Sequence, residues 1–249
     1  MGREDGQAIA EAAIVLPGMV FLLLAAVQLT QLQQARILAD SAAFAAARTG
    51  IVMNGDPGKM RDAATFAILP GVGPTDSFPA IARTLLRFKA EDAVLAPLGL
   101  TRLRVYVHSP AVSDFSAWGR HLNGQEIDFD DVRPGATDAT LLSLQIRYLY
   151  ELKVPFANKL IQTLWMAAKA GVLEAWQGWD LTSPRFGGQA GPDAVRVSRA
   201  VAASAIAAQG GISFASLAAA GRAGRYYLPV EAFYTMRMQS NPYRKWARP

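Results

Sequence analysis

Gly6-Gln7-Ala8-Ile9-Ala10-Glu11 leads directly into Ala12-Ala13-Ile14-Val15-Leu16-Pro17-Gly18-Met19-Val20-Phe21-Leu22-Leu23-Leu24-Ala25-Ala26-Val27. The uncharged run is about 16 residues, or about 18 with Gln28 and Leu29, just long enough for one helix to cross a bilayer. Glu11 stands at its mouth. A carboxylate entering lipid costs about 2.5–3.5 kcal/mol on insertion scales, so an acid in this position calls for a partner. The plainer alternative is that Glu11 only complements the positive end of the helix dipole.

Past Val27 the helical pattern continues but changes character. Gln28, Thr30, Gln31, Gln33, Gln34, Arg36 and Asp40 form one side, and Leu29, Leu32, Leu38, Ala39, Ala42, Ala43 and Ala46 the other. The pattern predicts an amphipathic continuation with a stop at Gly50, giving one helix of about 45 residues and some 65 Å. The small side chains from Ala35 to Ala47 allow close approach, either by this protein's own sheet or by a neighbouring helix. Pro17 and Gly18 interrupt the apolar run and mark a candidate kink, harmless or used in packing.

Later segments alternate between periods of about 3.6 and 2. Asn54 to Gly58 reads as a turn, Lys59 to Leu69 as a short helix closed by Pro70-Gly71, and Phe78 to Leu95 as a longer helix. Leu103, Val105 and Val107 alternate with Arg102, Arg104 and Tyr106, as in a strand with one buried face. A second strand places Leu142, Leu144, Ile146, Tyr148, Tyr150 and Leu152 on one side and Ser143, Gln145, Arg147 and Glu151 on the other. Pro155 ends it and opens a helix from Phe156 to about Gln177. Tyr226 to Gln239 reads as a third strand, with Pro229 calling for an edge position or a bulge. Glu126 to Asp131 is a candidate short fourth. The expected fold is α+β: a long N-terminal helix partly laid on a small, mainly antiparallel sheet packed by helices.

The chain has 249 residues, a formal charge of +5 and no cysteine. Disulfides and thiolate metal sites are therefore excluded. The 25 basic residues are scattered, the densest group being Arg244, Lys245 and Arg248, and no basic stripe interleaved with aromatics supports nucleic-acid binding. His108 and His121 lack the spacing of a metal motif. Glu126, Asp128, Asp130 and Asp131 form an acidic patch able to attract calcium, but without the glycine and terminal glutamate of a calcium loop. Gly187-Gly188-Gln189-Ala190-Gly191 is no phosphate loop and reads as a flexible linker before a Val195 to Gln209 helix. Ser213 and Ser216 form no nucleophile elbow. Trp118, Trp165, Trp176 and Trp179 read as core or interface aromatics. No catalytic residue, metal site or cofactor emerges.

An ordinary cleaved secretory signal fits poorly, since Arg3 is offset by Glu4 and Asp5 and Gln28 to Gln34 is a poor cleavage zone. The arrangement of glycine, four residues, glutamate and apolar helix instead resembles type IV prepilins. With Pro17 in place, residues 6–17 resemble the opening of TadE-like pseudopilins of the tight adherence (Tad) pilus system. Ile146 to Ile161 and Leu228 to Ser240 resemble that family more loosely.

The resemblance implies a leader of residues 1–6, a long helix over 7–53 with its membrane part at about 12–29, and an exported α+β domain over 54–249. It implies cleavage by a prepilin peptidase between Gly6 and Gln7. Glu11 would then pair with the new amine of an adjoining subunit. The implied partners are other pilin and pseudopilin subunits, the peptidase, an inner-membrane assembly platform and the membrane itself. The implied location is the bacterial inner membrane, single-pass, with a periplasmic domain that becomes extracellular in a filament. Function is then that of a non-catalytic minor pilin or pseudopilin. The alternatives are a membrane-anchored periplasmic enzyme or binding protein with an unrecognised site, and a part of a contact-dependent secretion machine.

Overall fold

The computed structural model describes the backbone of residues 4–133, 135–169, 185–188 and 213–247, and side chains within these ranges other than those of residues 4–10, 169 and 185–188. Helix α1 runs from Glu4 to Val52 without a break, 49 residues with Pro17 inside it. At about 1.5 Å per residue that is roughly 73 Å. Gly50 is not the stop. The helix ends two residues later in a turn where Asn54 (φ 56°) and Gly55 (φ 77°) take left-handed backbone. Gly50 instead permits close approach, because a Cβ there would meet Met60 Sδ at 2.5 Å and Leu142 Cδ2 at 2.6 Å.

Asp56 caps the next helix, α2 (Pro57–Ile68), accepting from the backbone N–H of Gly58 at 2.8 Å and of Lys59 at 3.4 Å, with Pro57 pre-set in the first turn. It begins two residues before the sequence-based boundary, and a tight turn over Leu69–Gly71 closes it. Met60, Ala64 and Ile68 share a face and are buried against α1. Helix α3 spans Phe78–Leu95, as its apolar spacing predicts.

The strands are β1 (Leu103–Ser109), β2 (Leu141–Leu152), β3 (Arg185–Gly188) and β4 (Tyr226–Arg237), in the order β1-β2-β4-β3. Pairs β1–β2 and β2–β4 are antiparallel, and the four-residue β3 runs parallel to β4. Register between β2 and β4 is unbroken from Leu141↔Arg237 to Leu152↔Tyr226, so Pro229 sits at no bulge. Since β3 pairs only with Ala232 to Thr235, β4 is locally an edge at Pro229 among the described residues, where a missing N–H costs no ladder bond.

Glu126 to Asp131 does not form a strand; only an isolated bridge joins Glu126 to Tyr243. The aspartates take their own backbone as partner, Asp130 N–H donating to Asp128 Oδ1 at 3.1 Å and Arg133 N–H to Asp131 Oδ1 at 3.0 Å. Such local bonds compete with a ladder. The fourth strand comes from Arg185–Gly188, whose last two residues open the stretch read as a linker. The remaining linker residues, the proposed Val195 to Gln209 helix, Trp176 and Trp179 lie outside the described residues.

One sheet face carries Leu142, Leu144, Ile146, Tyr148, Tyr150 and Leu152 from β2, with Leu228, Val230, Ala232 and Met236 from β4, all buried. Ala35, Ala39, Ala42, Ala43, Ala46 and Ala47 of α1 join them in one core. The alanine stripe thus packs on the protein's own sheet and α2. The opposite face is also covered, contrary to the one-sided reading. Leu149 and Tyr227 pack with Leu95, Leu100, Leu217 and Ala220, the last two from helix α7 (Phe214–Arg222).

Ser143 and Gln145, expected on the polar side, are buried. Thr235 donates to Ser143 Oγ at 3.3 Å, and Gln145 Oε1 lies 3.0 Å from a ring nitrogen of His108. Helix α6 (Ala157–Lys169) follows β2 and buries Gln162, whose Nε2 donates to the Tyr227 carbonyl at 3.2 Å. Two short helices, α4 (Val112–Trp118) and α5 (Ala136–Ala139), contribute Phe115 and Ala139 to a small separate core with Ile127.

The domain also holds a buried cation. Arg102, 4% exposed, pairs through Nη1 with Glu91 and lies over the rings of Phe88 (5.4 Å) and Tyr148 (6.0 Å). Removing one partner of such a pair strands a charge, at a cost of about 3–5 kcal/mol.

Candidate functional site: the projecting half of the N-terminal helix

The domain holds only one end of α1. At Ile51, the carbonyl accepts from Gln239 N–H at 3.0 Å and from the Ser240 hydroxyl at 2.9 Å. Asn54 adds Nδ2 donating to the Asn241 carbonyl at 2.8 Å. Strand β2 runs from this end back along α1 to Gln28, whose Oε1 accepts from Val154 N–H at 2.8 Å. Gln28 is the last fully buried position towards the N-terminus; one turn further Leu24 and Ala25 are half-buried and Val27 is exposed, so among the described residues the domain's hold on the helix fades from this point.

Gln28 and Arg36 correct the polar-versus-apolar division expected of α1. Both are buried, at 0% and 8% exposure, whereas Leu29 and Ile37 are exposed. Gln28, Leu32, Ala35 and Ala39 follow each other at three- and four-residue steps, with Arg36 four residues after Leu32, and this geometric face docks whatever its chemistry. The signal was legible, since extending the Leu32-Ala35-Ala39 stripe back one turn reaches Gln28. Arg102 gave no comparable signal.

Below Gln28 the helix projects from the domain. Ile14, Leu16, Leu22 and Leu23 are 61–77% exposed. The best 18-residue window has a mean hydropathy of 2.4 and only 6% of it is buried inside the protein, so it does not behave as the core helix of a water-soluble fold. An exposed apolar surface of this extent implies lipid or other protein around it. The helix fits a single-pass membrane anchor.

The residues singled out on the sequence all lie on this projecting half. Gly6 and Gln7 fall in the first turns of α1. Glu11 is exposed and stands one turn beyond Gln7, about 6 Å further along the axis. Pro17 continues the helix. At Gly18 a Cβ would have nothing within 4 Å, so this protein's own fold places no demand on that glycine.

Other candidate chemistry does not converge. Asp131 is held to about 2 by hydrogen bonds from the Arg133 side chain and backbone. Glu126 Oε2 accepts from Asn241 Nδ2 at 3.2 Å. Among the described residues no group of three or more His, Asp or Glu side chains gathers as a metal site. His108 stacks on Phe233 with ring centres 5.9 Å apart. Ser213 caps α7, its Oγ accepting from Ser216 N–H at 3.4 Å. Trp165 meets Phe214 edge-on at 6.0 Å, and Trp118 lies under Arg133 at 5.3 Å.

Comparison with curated proteins and with solved structures returned no match. The family model for TadE-like protein matches residues 6–48. That segment takes in Gly6, Gln7, Glu11, Pro17, Gly18 and most of the docked alanine stripe, and leaves out Ile146 to Ile161 and Leu228 to Ser240. Over residues 6–48, therefore, the chain is similar to TadE-like proteins, and that likeness supports a Tad-pilus-associated component.

Proposed function

We propose that the protein is a minor pilin or pseudopilin, a non-catalytic structural subunit of a Tad-type pilus or related secretion filament. The observation that carries this reading is the division of α1. Its docked half holds the domain, and its other half, within the TadE-like match, offers an apolar surface with a single acid near the start.

In this reading a prepilin peptidase hydrolyses the peptide bond after Gly6 and frees the amine of Gln7. Gly6 suits that step twice over: it leaves the backbone open to the protease, and it costs the helix about 1 kcal/mol relative to alanine, which eases unwinding there. The new ammonium of one subunit then meets the Glu11 carboxylate of the next. Since Gln7 and Glu11 are one turn apart, the two helices pair with an axial offset of about 6 Å. A paired charge is tolerated in an apolar surround where a lone one is costly, so the contact favours assembly over loose association. The domain remains on the far side of the membrane and becomes extracellular in the filament.

Intact mass measurement on protein from cells carrying the peptidase tests the first step. A mature chain starting at Gln7 is expected. An uncut chain, or a cut near Ala26, would refute the reading. A further loss of ammonia would show Gln7 cyclised and uncharged, which would remove the pairing with Glu11 while leaving the processing step in place.

A further inference from the structure

The end of β2 delivers an exposed aromatic to the level at which α1 leaves the domain. Val154 N–H donates to the buried Gln28, and Phe156 follows two residues later, 77% exposed. Phe156 holds a left-handed backbone (φ 64°), a region that bulky side chains rarely adopt. The turn is fixed by Ala157 N–H donating to the Pro155 carbonyl at 2.8 Å and Asn158 N–H to the Val154 carbonyl at 3.0 Å. Packing inside the domain does not account for this conformation, because the ring is outside it.

The neighbours have a consistent chemistry. Leu160, one turn into α6, is 42% exposed, and Lys153 and Lys159 are exposed on either side of Phe156. The acid nearest in sequence, Glu151, is engaged by Arg225 at 3.0 Å. A hydrocarbon core of about 30 Å takes about 20 helical residues, which from Ala12 reaches about Gln31. Gln28 and the turn bonded to it therefore stand at the boundary between acyl chains and headgroups.

We infer that the Val154–Phe156 turn is a membrane foot: Phe156 and Leu160 enter the headgroup boundary of the leaflet on the domain side, while Lys153 and Lys159 face anionic lipid phosphates. Phenylalanine and leucine side chains bury at the boundary between headgroups and acyl chains, and lysines beside them snorkel to the phosphates. The foot fixes the domain's height and rotation on the bilayer before any subunit contact forms. This inference rests on the anchor reading of α1, and its test separates the two.

The chain has no cysteine, so single-cysteine variants of the full protein take one polarity-sensitive fluorophore each. Leu23→Cys, Phe156→Cys and Val52→Cys are reconstituted at high dilution into vesicles containing phosphatidylglycerol and spin-labelled lipid. The expected result is deep quenching at position 23, quenching by shallow spin labels at 156, and none at 52, at the opposite end of the domain. Quenching at 23 without quenching at 156 overturns the foot and leaves the anchor standing. No quenching at 23 refutes the anchor, and the foot with it. A signal at 156 that grows with protein-to-lipid ratio and ignores spin-labelled lipid assigns the turn to contact between copies, which also overturns the proposal. Phe156→Asn suits the left-handed backbone and should preserve the fold while a label at Leu160→Cys loses quenching. Unchanged quenching there would show that Phe156 does not set the depth.

Discussion

Residues 12–27 and residues 32–51 belong to one uninterrupted helix, both built largely from apolar and small side chains, yet they meet opposite surroundings. In the first stretch the large residues Ile14, Leu16, Leu22 and Leu23 are exposed, while in the second Leu32, Ala39, Ala43 and Ala46 are fully buried. Two glycines condense the contrast. Nothing lies near the missing Cβ of Gly18, whereas that of Gly50 would strike Met60 and Leu142. Large side chains on the projecting half supply area for a partner, and small ones on the docked half bring backbones together. The same helix thus offers two kinds of surface, one suited to lipid or other protein and one packed within the molecule.

That contrast is most sharply tested at Glu11. Glu11→Ala should leave cleavage and domain unfolding unchanged but reduce incorporation into filaments by roughly tenfold or more, in keeping with about 2.5–3.5 kcal/mol at stake for a carboxylate in lipid. Normal incorporation, read from the variant's share of purified filaments, would remove the assigned role.

On the docked half, Gly50→Val should lower domain stability by about 1–3 kcal/mol through overpacking, seen as a lower midpoint in thermal unfolding of detergent-solubilised protein. Gln28→Leu should cost about 1–2 kcal/mol, because it leaves the Val154 N–H buried without an acceptor. If Gln28→Leu were neutral, the place where the domain lets go of the helix would have been set too low.

Alkaline titration reports on the same docked surface. Burial pushes the Tyr148 hydroxyl above the ordinary tyrosine range, with Arg102 opposing it. A group whose folded pKa is raised stabilises fully below its unfolded value, near 10, and that contribution is lost as pH rises toward the folded one. Stability should therefore fall above about pH 10, and Tyr148→Phe should make that decline shallower. The smallest effect belongs to Gly18→Ala, expected to leave the domain's unfolding midpoint unchanged. A loss of assembly in that variant would place a neighbouring helix against position 18.

Much of this was legible locally. The strands β1 and β2 announce themselves by alternation, and α3 by its apolar spacing. The glycine, the acid and the proline lie within residues 6–17, so one local pattern carries the resemblance to TadE-like proteins. Where the local reading of the sheet failed, a distant partner decided. Ser143 and Gln145 looked solvent-facing because alternation cannot report a second layer over the sheet. Glu126 to Asp131 looked like a strand because side-chain capping of the backbone has no period.

The sequence by itself determined the extent of the apolar segment, the position of Glu11 four residues after Gln7, the absence of thiol chemistry and the α+β class, since each depends on composition or on spacing within one element. Only the tertiary structure decided where the domain lets go of its helix, that the alanine stripe is used internally, that Arg102 is buried against Glu91, and that the turn carrying Phe156 is bonded to Gln28. Three of these follow from how β2 runs back along α1, and the Arg102–Glu91 pair from how α3 packs beside the start of β1; no local pattern encodes either geometry.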